Sequence, residues 1–243
     1  MSVNSKIISP IVISSICAIA IAIFGLLGYL PGLGILGSIS EAYIPMAPST
    51  AISFIVLAGI LFTLPLRSLS ESSLRVAFAL TMVVTLFAAL EVAGYFTGLD
   101  LNFEDALVPA AGQLGEIPIG RMSVSTGALF LLSGLAVLAL LWHVRTKKSW
   151  TGLGDVIGVL GALTFGTAFI VCLAYLFGSP LLYGQGATIP MALTTALAFI
   201  MLGAAIVGAS GKDSIPLRWL SSTINAGTGA VIGEGKRLFS LAM

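Results

Sequence analysis

Glu91 is the residue whose position most invites a chemical reading. It is the one ionisable side chain well inside an apolar run, "TMVVTLFAALEVAGYFTG". A charged carboxylate at the centre of a bilayer costs roughly 2.5–3.5 kcal/mol, and less near the interface. An acid there is therefore either functional or bonded, to a neighbouring helix mouth or to Arg121. Just downstream, "GLDLNFEDAL" carries Asp100, Glu104 and Asp105. Three carboxylates so close form a weak candidate for a divalent cation, against the plainer reading of a solvated acidic loop. A third set of residues recurs. "IPMAPSTAISF" from Ile44, "IGRMSVSTGALF" from Ile119 and "IPMALTTALAF" from Ile189 each place a Thr four residues after a Met. The pairs are Met46 and Thr50, Met122 and Thr126, Met191 and Thr195. Each phrase follows a Gly-Tyr or Ala-Tyr that closes the preceding apolar run, at Tyr29, Tyr95 and Tyr175.

The repeated phrase reads first as a helix start. Pro48 suits a first turn, where its missing N–H costs nothing, and Ser123 is a good N-cap. Small residues after each Thr (Ala51, Gly127, Ala196) allow close packing. Gly154, Gly158, Ala162 and Gly166 form a small-residue stripe on the fifth apolar run, and Ser14, Ala18 and Ala22 form one on the first. A sharper reading has three helix N-termini, each partly positive, ringing a site for an anionic or polar ligand. Copper held by three methionines has little support without His or Cys beside them. Counting back three residues from the glycine or alanine before each tyrosine gives Gly25, Glu91 and Val171. The scaffold thus needs no acid at that position, and function is to be sought where the copies differ.

Other chemistries fall away. One histidine, His143, supplies neither a zinc cluster nor paired haem ligands. No Walker-type loop, nucleophile elbow or Cys-x-x-Cys is present, and Cys17 and Cys172 read as small buried hydrophobes. Neither an enzyme nor a cofactor is expected. A net charge of +1 gives no field for a nucleic-acid partner.

The elements that position these residues are apolar helices. The chain is 58% hydrophobic and 9% charged, with mean hydropathy +1.10, where soluble domains carry about 25% charged residues. Its main partner is therefore the lipid bilayer. The expectation is an all-α integral membrane protein with six transmembrane helices at roughly 7–30, 48–66, 74–97, 123–143, 152–178 and 190–209. These would form three pseudo-equivalent helical hairpins, a parallel internal repeat with units of about 7–66, 74–143 and 152–209. The membrane domain would span 1–210, with 211–243 a cytoplasmic tail, linker or interfacial segment. With the N-terminus inside, ten of eleven basic residues fall in inner segments and only Arg121 falls outside. Glu41, Asp100, Glu104, Asp105 and Glu116 fall in outer loops, while Trp142, Trp150 and Trp219 line the inner boundary and the five tyrosines the outer. Both patterns place the N- and C-termini in the cytoplasm.

A family resemblance follows from "LEVAGYFTGLDLNFEDAL … IGRMSVSTGALFLLSGLAVLAL" and from the stretch Met191 to Phe199. These resemble the membrane-embedded N-terminal sensor region of bacterial PAS-linked sensor histidine kinases and diguanylate cyclases. Such regions carry a Glu before a Tyr-x-x-Gly phrase, an Asp-rich outer segment and repeated Met-x-x-x-Thr-Ala phrases. The resemblance implies a sensory input module in the cytoplasmic membrane of a prokaryote, coupled to an output kinase or cyclase domain. Only 34 residues follow Ala209, too few for such a domain, so an output partner or a longer chain is expected. The runner-up is a non-catalytic subunit of a larger membrane complex. A small transporter using Glu91 ranks third, because transporters place opposed charges and broken helices at mid-membrane depth.

Overall fold

The computed structural model describes residues 5–40, 43–66, 69–99, 104, 113–114, 117–146, 152–178 and 189–223. They form α1 (Ser5–Leu27), α2 (Gly34–Ser38), α3 (Pro48–Thr63), α4 (Glu71–Thr97), β1 (Gln113–Leu114), β2 (Ile117–Pro118), α5 (Val124–Thr146), α6 (Leu153–Leu176) and α7 (Leu193–Ala209). Residues 215–223 add a further helical stretch. The two short strands pair antiparallel. Local chemistry sets several helix ends. Ser70 caps α4 by accepting from Ser73 N at 3.2 Å, and α4 ends at Gly98 in the left-handed region, φ 68°. Ser123 caps α5 by accepting from Thr126 N at 3.2 Å, and Pro48 occupies the first turn of α3.

The expectation of six transmembrane helices in three hairpins is overturned. Among the described residues, four helices are long and apolar enough to cross a membrane: α1 (from Pro10), α4, α5 and α6. Helices α3 and α7 have 16 and 17 residues, about 24 and 26 Å at 1.5 Å per residue against a hydrocarbon layer of about 30 Å. The apolar runs overstated their helical length. The run expected at 48–66 begins where α3 does and ends three residues past it, and the run expected at 190–209 begins three residues before α7, where Ala192 is still extended (ψ 147°). Helix α3 stops before Pro65, which has no N–H to continue the ladder of helical hydrogen bonds. Both α3 and α7 are buried along most of their length. Several residues that bore on orientation lie outside the described ones: Glu41, Arg67, Asp100, Asp105, Glu116, Lys147, Lys148, Trp150, Tyr183, Lys236 and Arg237.

Three helices make the centre. Phe54 of α3, Phe130 of α5 and Phe199 of α7 are fully buried and meet as a triangle, with ring centroids 4.6–4.7 Å apart. Each stands eight residues after the Met of its phrase. Around this centre α1 lies against α3 and α7, α6 lies against α7 and α5, and α4 lies along α5 with sparse contact to α3. Small residues set the closest approaches. A Cβ on Gly203 would fall 2.7 Å from Phe165 N, and one on Gly161 would fall 2.8 Å from Ile206 Cγ2. In the stripe read from the sequence, Gly154 meets Ser210 and Gly158 meets Pro216, whereas Gly166 faces open space. Outward faces are apolar, as at Val83, Leu86, Leu163 and Ile170. With its long apolar helices, this surface is consistent with a multi-pass membrane protein.

The stretch after α7 docks rather than trailing away. Asp155, in the first turn of α6, accepts from Ile215 N at 2.7 Å and so caps the helical residues 215–223. Trp219 and Leu220 on that stretch are exposed.

Candidate functional site

At one end of the bundle α1, α4 and α6 finish and α3, α5 and α7 begin. Glu104 lies among these ends and is only 3% exposed. Its carboxylate accepts from the Ser49 hydroxyl, in the first turn of α3, and from Met122 N, just before α5, at 2.5 Å. One negative charge therefore ties two helix starts together, where partial positive charge and free N–H groups favour it. This is the bonded-carboxyl role that the sequence offered for Glu91. The sequence groups Glu104 instead with Asp100 and Asp105 as a cation candidate, and those two lie outside the described residues. No group of three metal-binding side chains occurs among the described residues. Nothing local marks Glu104 apart from its acidic neighbours; its burial is decided by distant helices.

The three copies of the Met phrase are all buried but bonded differently. Met46 N donates to Gly37 O at 3.1 Å, Met122 N donates to Glu104, and Met191 O accepts from the Tyr175 hydroxyl at 2.8 Å. Thr194 donates to Gly37 O at 2.9 Å, tying the start of α7 to α2. Thr50, Thr126 and Thr195 converge with Arg121 on a space of about 10 Å³. A single water needs about 10–15 Å³, so the ring of helix mouths leaves no room for a larger ligand. The tyrosines also differ. Tyr175 is buried edge-on to Tyr43, and Tyr95 is half exposed against Phe96.

The Tyr29 hydroxyl is buried with no hydrogen-bond partner among the described residues. Burial, and then the negative charge of Glu104, push its pKa well above the ordinary value near 10. The folded state favours the neutral phenol. Its contribution to stability is complete below about pH 10 and declines as pH rises past that value toward the raised folded pKa. In an absorbance titration, Tyr29→Phe should remove no tyrosinate signal below about pH 11. A signal lost by that variant near pH 10 would contradict this placement.

Glu91 stands where α4 passes α5. A Cβ on Gly127 would come within 3.4 Å of Glu91 Cβ, so this glycine permits the close approach. One Glu91 carboxylate oxygen is buried, and the side chain lines a cavity of about 310 Å³ with Glu104, Arg121 and Tyr95. Leu90, Leu99 and Met122 supply apolar wall. Sequence reasoning offered Arg121 as a partner for Glu91, and the fold brings both to one cavity with Glu104. Two carboxylates and a guanidinium beside apolar walls can hold the polar head of a small amphiphile or take up a proton. The volume lies at the lower end of the usual range for small-ligand sites, about 300–1,000 Å³.

Compared with protein-family models, curated proteins and solved structures, the chain matches none.

Proposed function

We propose that this chain is a membrane-embedded sensory input module with no catalytic step of its own, receiving its signal in the cavity shared by Glu91, Glu104 and Arg121. The observation that carries the reading is the gathering of these three ionisable side chains around one cavity in an otherwise apolar bundle. The phrases shared with the sensor regions of PAS-linked kinases and cyclases support it. In this reading the cavity faces the outer side of a prokaryotic cytoplasmic membrane. The docked residues 215–223 lie at the cytoplasmic end, where an output kinase or cyclase would take up the signal.

The cavity sits between α4 and α5, and Glu104 ties α5 to α3. A change of charge or occupancy there acts on helices that run to the opposite end. Ligands shift a protein only by binding its states differently, so the test reads that far end. Glu91→Gln removes the charge without changing shape, and amide exchange in residues 215–223 reports the response. A structural subunit has no need for such coupling.

A further inference from the structure

We infer that the cavity of Glu91, Glu104 and Arg121 binds an organic monovalent cation, an ammonium group carried on an apolar body. This rests on the sensory reading, whose site is the same, and names the chemical class of the signal.

One side of α4 makes room for such a ligand. Glu91, Gly94, Tyr95 and Gly98 follow the i, i+3, i+4, i+7 spacing that puts residues on one side of a helix. All four line the cavity of about 310 Å³. The two glycines add no side chain to this wall, and a Cβ at Gly98 would meet nothing within 4 Å. Leu90, Tyr95 and Leu99 line the cavity and are also exposed on the apolar surface, whereas the lining residues Glu104 and Met122 are buried. An apolar body can therefore enter past the leucines with its polar group toward the acids.

The charges on the wall choose the sign of that polar group. Among the described residues that line the cavity, Glu91 and Glu104 are the acids and Arg121 is the cation. The donors to Glu104, Ser49 and Met122 N, are uncharged, so they do not cancel its charge. One guanidinium then stands against two carboxylates, and one negative charge is left over in a largely apolar site. An uncompensated buried charge is costly, so an occupant with a single positive charge is favoured. A divalent metal fits less well. Such ions take about six or more oxygen ligands, and no group of three metal-binding side chains occurs among the described residues. Tyr95 adds an aromatic ring to the same wall, and ring faces attract ammonium groups.

The probe is tritiated benzyltrimethylammonium, with phenylmethanesulfonate, an anion of similar size, as competitor. Binding is measured on the chain in phosphatidylcholine nanodiscs, with empty nanodiscs subtracted. The wild type should bind the cation saturably, and an excess of the sulfonate should not displace it. Glu91→Gln should weaken binding by about tenfold or more, and Gly94→Leu, which fills the cavity, should abolish it. No saturable binding by the wild type, displacement by the sulfonate, or undiminished binding in either variant would each overturn the inference. The wild-type arms decide the matter even if a substitution prevents folding. Amide exchange in residues 215–223 separates this outcome from that of the sensory reading. Exchange that responds to Glu91→Gln without cation binding by the wild type sinks the ligand class alone, a proton then being the occupant. Cation binding that leaves this exchange unchanged upholds the ligand and sinks the sensory reading.

Discussion

Glu104→Ala should lower the stability of the folded bundle by about 3 kcal/mol, since hydrogen bonds to a charged group contribute about 1.5–3 kcal/mol each. The carboxylate is 3% exposed and accepts from Ser49 and Met122 N. Removing it strands a buried backbone N–H and a buried hydroxyl at two helix starts. Glu104→Gln separates charge from shape. Its amide oxygen can satisfy one donor, but its NH2 group faces the other, so about half of the loss should remain. Unfolding in mixed micelles, followed by tryptophan fluorescence, measures both. An alanine variant as stable as the wild type would mean that Glu104 does not join α3 to α5.

The second large effect is expected at the centre. Phe130→Ala should cost roughly 2–3 kcal/mol, below the 3–5 kcal/mol typical of water-soluble cores. In a bilayer the separated helices already lie in hydrocarbon, so most of the transfer free energy is absent from both sides. What remains is lost packing against Phe54 and Phe199, which lie 4.7 Å away. The Phe54→Ala and Phe199→Ala variants should resemble it. Because the rings share one contact, pairs of variants should depart from additivity. A cost for Phe130→Ala near zero, by the same unfolding measurement, would show that the three helices do not converge at these rings.

These two sites show what the sequence could and could not reveal. Helix positions were legible because apolar runs are long and the starts of α3 and α5 are marked by Pro48 and Ser123. The number of spans was not. Leu64 and Leu66 after α3, and Met191 and Ala192 before α7, are as apolar as those helices, so composition alone cannot place the helix ends. The phenylalanine triangle did leave a signal, a Phe eight residues after each Met, that sequence reasoning passed over. Glu91 stood out because an acid inside an apolar run is costly. Glu104 did not, because its burial comes from partners 55 and 18 residues away, and no local pattern encodes such distances. The cavity uses both acids with Arg121, so one member was legible by cost and another only through the fold.

The central claim is that this cavity governs the far end of the bundle. Hydrogen–deuterium exchange on the chain in lipid nanodiscs, wild type against Glu91→Gln, tests it most directly. Neutralising Glu91 should change amide exchange in residues 215–223 by about fivefold or more, the lower end of usual coupling between sites. The unfolding midpoint should stay where it is. Identical exchange in residues 215–223, with local changes confined to α4 and α5 around Glu91, would contradict the account.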